Sequence, residues 1–387
     1  MNILKKKYKN CGPMKNDKNI NDINFYYNYN HMKNNNNYNS MENNNNIMSY
    51  NDSHYDKYYI NKSKVYGIKN KENNCYLNSG LQILASCNEL VDLINHYHYY
   101  IKNQTKNILT ELDDAFNTLL NDKIYDPTNF INYFCSLNVN FIRGSQCCSQ
   151  DFIRTLIRNI NDIFIRDEIS IIPRYEEYCP SNYEEKSKYN EFIKSKFPES
   201  EAISLFSGIT KYVSFGQCHR CNEKINFYTF SYFIDQQIYL NEFKRKGYNF
   251  SVVLKENICT PNTLTMDCPK CKGETYIKEH PKIIKLPKIL IFTLERYQGS
   301  SKNNMEIIPD EIIDMKEILD KSLKCYDTIY ELFAVNIKLG SNQNDGHEIC
   351  QVKRGKIWYE VNDVSVTKIH NLSNFDSIYG LFYKRKK

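Results

Sequence analysis

Apolar residues recur at three- and four-residue intervals in the first half of the chain, at Leu77, Leu81 and Leu84, then at Leu109, Leu112, Phe116 and Leu119. The spacing returns at Phe152, Leu156 and the Ile157/Ile160 pair. This pattern predicts a helix starting near Cys75 and a mainly helical region to about residue 172. Past residue 200 the pattern changes. Segments 213–215, 225–240, 283–297 and 330–339 are rich in Ile, Val, Tyr and Phe, and several alternate, which predicts strands. Between the two regimes, residues 175–197 are mostly Tyr, Glu, Lys and Ser with little periodicity and read as an inserted loop. Helices first and strands afterwards place the chain in the α+β class.

The start of the chain has neither pattern. Asn accounts for 18 of the first 60 residues, with few branched aliphatic side chains. Such a segment cannot bury enough apolar surface to offset its ordering entropy, so residues 1–62 are expected to be disordered and the folded domain to run from 63 to 387. The formal net charge of +6 is spread along the chain, and no nucleic-acid partner is expected from it. No stretch has the apolar length of a membrane span or a signal core, so the expected setting is intracellular, cytoplasmic or nuclear, with no membrane partner. In that setting the 14 cysteines are more useful as thiols than as disulfides.

Two places put thiols in a chemical context. Residues 67–79 read Gly-Ile-Lys-Asn-Lys-Glu-Asn-Asn-Cys-Tyr-Leu-Asn-Ser, with Cys75 where a polar, turn-prone stretch meets the helix. A helix N-terminus favours negative charge and lowers a thiol toward the thiolate that a nucleophile requires. The other reading of such a cysteine is a small buried apolar side chain. Downstream, alternation at Phe333, Val335, Ile337 and Leu339 marks a strand, and a Gly- and Asn-rich loop leads to Gly346-His347 and two further strands. With Arg354-Gly355 as a two-residue turn, His347 stands opposite Asn362, whose side chain then reaches the imidazole. A one-residue slip brings Val361 or Asp363 there instead. Thiol, imidazole and orienting amide, in that order, are the parts of papain-like catalysis.

The second place is a pair of Cys-x-x-Cys motifs, Cys218 with Cys221 and Cys268 with Cys271. Four thiolates at this spacing suit a tetrahedral zinc with no open position, a structural site clamping two β excursions. Redox Cys-x-x-Cys motifs and unrelated cysteines are the alternatives.

These segments resemble the ubiquitin-specific proteases. The stretch at 67–79, continuing into Leu81-Gln82-Ile83-Leu84, is similar to that family's cysteine box. Gly346-His347, Trp358-Tyr359-Glu360-Val361-Asn362-Asp363 and Tyr379-Gly380-Leu381-Phe382-Tyr383 are similar to its histidine box. The resemblance implies a papain-like fold with a helical thumb (about 63–172), then a β-sheet palm and zinc-bearing fingers (about 200–387). It also implies hydrolysis at the C-terminal Gly of ubiquitin, with ubiquitin or polyubiquitinated proteins as partners. In this reading Cys75 is the nucleophile, His347 the base and Asn362 the third member. Asn70 donates to the oxyanion, and Asp363 has a supporting polar role.

Residues 146–152, Gln-Cys-Cys-Ser-Gln-Asp-Phe, resemble an element that receives the ubiquitin tail, which makes Gln146 and Asp151 the candidate substrate contacts. The chain departs from the family pattern in several places. Glu72 replaces Gly and is a poor choice if that position needs positive φ. Asn74 replaces Thr, Cys148 replaces Asp, Glu348 replaces Tyr and Val361 replaces Phe. An inactive ubiquitin-binding scaffold and a protease for another ubiquitin-like modifier are the competing functions.

Overall fold

Every residue of helix α1, Cys75–Ala85, is buried, so the element that opens with the candidate nucleophile is also the axis of the helical lobe. The computed structural model describes residues 64–386 apart from 104, 122, 169–170, 173–177, 197–198, 241–246, 299–300, 322, 324–326 and 343–345. The Asn-rich segment at 1–62 lies outside the described residues.

Around α1 pack α2 (Asn88–His96), α3 (Ile108–Leu120), α4 (Thr128–Leu137) and α5 (Ser149–Arg166). Local chemistry sets the start of α3. Asn107 accepts from the N–H groups of Leu109 and Thr110, while Thr110 Oγ1 accepts from the Asn107 N–H, a reciprocal cap. Helix α5 buries Phe152, Leu156, Ile157 and Ile160, the stripe that the periodicity predicts, together with Ile153. It crosses α1 closely at Gly80, where a Cβ would come within 2.5 Å of the Phe152 ring.

Residues 175–197 do not form a simple loop: they contain helix α6, Tyr183–Lys196. Its apolar contacts with the protein come from Tyr189 and Ile193, with the partly buried Phe192, packing on Ile209 and Ile284, so the apolar stripe is barely two turns long. A buried ion pair supplies the rest of the anchor. Glu185 accepts from Lys211 Nζ at 2.8 Å and from the Ser181 N–H at 2.8 Å, and it also binds the Tyr178 hydroxyl.

The strand-rich part builds two sheets. A four-stranded antiparallel sheet, in the order β2-β1-β5-β4, is made from β1 (Gly208–Gln217), β2 (Lys224–Phe233), β4 (Asn262–Asp267) and β5 (Glu274–Lys285). The larger sheet uses β3 (Asp235–Tyr239), β6 (Ile289–Glu295), β7 (Ile329–Leu339), β8 (His347–Arg354), β9 (Ile357–Asn362), β10 (Ser365–Ile369) and β11 (Ile378–Arg385). Their order is β10-β9-β8-β7-β11-β6-β3, and Ile312–Asp314 pairs with the start of β7.

One apolar cluster joins α1 to α5 with Phe333, Cys350, Val352 and Phe382 of the large sheet. A second packs helix α7, Phe250–Cys259, on the same sheet through Phe250, Val253, Leu290, Phe292 and Tyr383. The large sheet is thus covered by helix on both faces, and its β8–β9 end meets the start of α1. Among the described residues no helix is long and apolar enough to cross a membrane.

Candidate active site

Cys75 is the first residue of α1, and only 1% of it is exposed. Its Sγ accepts from the backbone N–H of Glu348 at 3.5 Å, which sets the thiol against the second residue of β8. Burial pushes the Cys75 thiol up from its ordinary value. The Glu348 N–H pulls it down, while the Glu348 and Asp363 carboxylates push it up. The helix start expected from the sequence is present, but desolvation of a thiolate works against it.

The candidate base, His347, lies on the β8–β9 hairpin, whose register differs from expectation. Arg354 pairs with Ile357 and Cys350 with Val361, so the turn is Gly355-Lys356, one residue later than Arg354-Gly355. Gly355 has φ +60°. A tight hairpin turn needs positive φ at its first central position, which Gly adopts without steric cost and Arg354 would not. His347 therefore does not stand directly opposite Asn362. The pairing shifts by two, strand parity is kept and both side chains remain on one face as diagonal neighbours. The imidazole spans the diagonal, with Nε2 2.7 Å from Asn362 Oδ1. An amide oxygen only accepts, so Nε2 is the donor in this contact. Asp363 Oδ2 lies 3.9 Å from Nε2.

Asp363 begins the two-residue turn into β10, with φ 52°, and its carboxylate faces the nucleophile segment. Asn78 Nδ2 donates to its Oδ1 at 2.7 Å and Asn70 Nδ2 to its Oδ2 at 2.9 Å. Asn74 links the two: its Nδ2 donates to Asn78 Oδ1 at 2.8 Å, and its N–H donates to Asn70 Oδ1 at 3.2 Å. The turn approaches so closely that a Cβ on Gly67 would sit 2.4 Å from the Val364 backbone, and the Ile68 N–H donates to Asp363 O at 2.9 Å.

The positive φ in this loop belongs to Asn73, at 54°, and not to Glu72. Asn tolerates that conformation better than most residues. Glu72 instead receives both prongs of Arg143, at 2.6 and 2.8 Å, while Asn73 Nδ2 donates to Gly144 O at 2.9 Å. The departure at Glu72 thus fastens the loop before Cys75 to the loop before α5.

Away from this site, the Cys-x-x-Cys motifs form the tips of the β1–β2 and β4–β5 hairpins. The two tips share one conformation. Asn222 and Lys272 have φ 59° and 57°, and each N–H returns to the carbonyl of the first cysteine, Cys218 or Cys268, at 2.9 Å. Cys218 and Cys271 Sγ are 3.7 Å apart, Cys221 and Cys268 Sγ 3.6 Å, and all four lie within 4.8 Å of one another. A tetrahedron with metal–sulfur bonds of ~2.3 Å has edges of ~3.8 Å, so these residues fit a metal ion.

The sequence profile of the family described as ubiquitin carboxyl-terminal hydrolase matches residues 66–383, which include the thiol, the hairpin and the four cysteines. The chain belongs to the ubiquitin carboxyl-terminal hydrolase family. It is 25% identical over 355 residues to probable ubiquitin carboxyl-terminal hydrolase 4 of Schizosaccharomyces pombe, a match covering 82% of this chain and 58% of that protein. It is 24% identical over 333 residues to ubiquitin carboxyl-terminal hydrolase 12 of Salmo salar, covering 82% and 84%.

The fold is similar to a chain of the SAGA Ubp8/Sgf11/Sus1/Sgf73 DUB module bound to ubiquitin aldehyde. That match has a TM-score of 0.62 at 19% identity and covers 84% of this chain and 70% of that one. A yeast SAGA DUBm structure gives 0.63 at 21% identity, covering 84% and 69%. The mixed helix-and-sheet architecture expected from the sequence is therefore that of the deubiquitinase fold.

In this hydrolase-family chain the two candidate substrate contacts differ in character. Gln146 is exposed on the loop before α5, whereas Asp151, in the first turn, binds Arg154. Arg154 also meets Asp235 at 2.7 Å, so the Asp151 carboxylate belongs to a shared ionic cluster.

Asn74, Asn78 and Glu348 bear on the site without having been assigned a part in it from the sequence. The four-residue spacing of Asn70, Asn74 and Asn78 is a signal that could have found the first two. Glu348 carried none, because its polar partners lie on β7 and α5.

Proposed function

We propose that this protein is a thiol-dependent deubiquitinase that hydrolyses the peptide or isopeptide bond at the C-terminal Gly of ubiquitin. The observation that carries this reading is that the Glu348 N–H holds Cys75 against β8 one residue from His347, whose imidazole binds Asn362, in a chain of the hydrolase family. His347 Nδ1 takes the Cys75 proton, and Sγ attacks the carbonyl carbon of the terminal Gly. The oxyanion accepts from backbone N–H groups at the start of α1 and from Asn70. An amide nitrogen carries two N–H groups, so the bond to Asp363 and a bond to the oxyanion are compatible. Collapse expels the substrate amine, which takes its proton from the imidazolium and leaves a thioester on Cys75. Water then gives a proton to Nδ1, attacks the thioester and releases Cys75.

Asn362 orients the imidazole throughout, and Asp363 organises the Asn70 side. Gln146 and Asp151 contact the ubiquitin tail, ubiquitinated proteins are the substrates, and the setting is the cytoplasm or nucleus. The four cysteines hold a structural zinc that joins the two hairpin tips, and with all four positions filled by protein it takes no part in the chemistry. The test is incubation with ubiquitin carrying a C-terminal thiol-reactive group, beside other ubiquitin-like modifiers. A covalent adduct with ubiquitin is expected, lost in Cys75→Ala. An adduct that survives this change, or one formed only with another modifier, would overturn the reading.

A further inference from the structure

Helix α5 begins without a cap of its own. Its N-cap is Cys148, whose side chain accepts none of the N–H groups of the first turn. Helices begin with exposed N–H groups that favour a side-chain oxygen, and burying such an end without one is costly. This end is buried: Ser149 is 0% and Gln150 1% exposed. The missing oxygen comes from another element. Glu348 Oε2, on β8, accepts from the Ser149 N–H at 3.2 Å and from Asn336 Nδ2 of β7 at 3.3 Å. Gln150 Nε2 in turn donates to Asn336 Oδ1 at 3.5 Å. Glu348 is 2% exposed, and its Oε1 has no hydrogen-bond partner among the described residues, the nearest cation being Lys338 Nζ at 4.0 Å.

We propose that Glu348 is a positioning residue for Cys75: its carboxylate caps α5 from across the cleft and thereby fixes its own backbone N–H against the nucleophile. One residue makes both contacts. The side chain is tied to α5 and β7, and the main chain donates to Sγ, immediately after the base His347. The resembling family carries Asp at position 148 and Tyr at 348, where this chain has Cys and Glu, and Cys148 lies close to the Glu348 carboxylate. A single buried carboxylate is accommodated there, and a second would meet it with nothing to neutralise both.

This inference rests on the deubiquitinase reading for its kinetic test, but Cys75 alkylation by iodoacetamide reads the same geometry without ubiquitin. In hydrolysis of a fluorogenic ubiquitin C-terminal amide, Glu348→Ala is expected to lower kcat tenfold or more while KM stays within threefold. Glu348→Gln keeps an oxygen for the Ser149 N–H and should stay within about threefold of the parent kcat. Cys148→Asp alone places a second carboxylate at the junction and should lower kcat at least fivefold. The same change made in Glu348→Ala should raise kcat at least threefold.

Unchanged kcat in Glu348→Ala would overturn the proposal, as would equal losses in the Ala and Gln variants or a failure of Cys148→Asp to help the Ala variant. Thermal melts identify a variant that does not fold, and Glu348→Gln then decides. If the parent protein cleaves no ubiquitin substrate, the functional reading fails instead. Positioning is then judged by whether Glu348→Ala changes the Cys75 alkylation rate at least threefold; a rate within twofold of the parent overturns it.

Discussion

Replacing Asn362 by Ala removes the one side chain among the described residues that the imidazole Nε2 touches at hydrogen-bond distance, an Oδ1 at 2.7 Å. In the proposed mechanism this bond becomes charge-assisted once Nδ1 has taken the thiol proton. Bonds to charged groups contribute about 1.5–3 kcal/mol. At about 1.4 kcal/mol per decade, the loss corresponds to a fall of roughly 10- to 150-fold in kcat. The lower half of that range is expected, because Asp363 Oδ2 waits 3.9 Å from the same nitrogen and offers partial compensation. Its carboxylate is engaged by Asn70 and Asn78, which limits how far it can turn.

The assay is steady-state hydrolysis of a fluorogenic ubiquitin C-terminal amide, with kcat and KM resolved separately. The imidazolium exists only along the reaction path, so the change belongs in kcat, with KM nearly constant. Asn362→Asp keeps an acceptor and should stay close to the parent. Asp363→Ala should slow hydrolysis less than Asn362→Ala. A kcat for Asn362→Ala within twofold of the parent, or the reverse order of the two Ala variants, would refute the assignment of the orienting role.

Three further outcomes follow from the same geometry. Burial raises the Cys75 thiol, and the thiolate is the reactive form, so iodoacetamide alkylation of the resting protein should still be rising above pH 8.5, the ordinary midpoint of a free thiol; a plateau near pH 6 would show a preformed thiolate instead. Gly67→Ala pushes a Cβ into the Val364 backbone, an overpacking expected to cost about 1–3 kcal/mol and, by moving the Asp363 turn, to lower kcat as well; an unchanged melting temperature and kcat would contradict this close approach. Treatment with a strong chelator should loosen the β1–β2 and β4–β5 tips, seen as faster amide exchange at residues 218–222 and 268–272, with the α1–β8 junction protected as before; unchanged exchange at both tips would argue against a metal there.

Much of this protein is legible along the chain because its chemistry is carried by local patterns. The helix beginning at Cys75, the alternating strand before His347 and the two Cys-x-x-Cys tips each depend on residues a few positions apart, where periodicity and ligand spacing act. Helix α6 escaped that logic because a buried Glu185–Lys211 pair, and not a long apolar stripe, anchors it. The hairpin shows the boundary between the two kinds of information. Alternation placed His347 and Asn362 on one face, but the turn was settled by which residue adopts φ +60°, and Gly355 rather than Arg354 does so.

Folding in three dimensions then set what no period encodes: the Asn70–Asn74–Asn78 chain ending on Asp363, and the Glu348 carboxylate at the start of α5. These are polar contacts between elements far apart in sequence. Their stability comes from burial, which makes an unpaired N–H or carboxylate costly. Burial is a property of the packed molecule, and it also raises the Cys75 thiol against the pull of its helix.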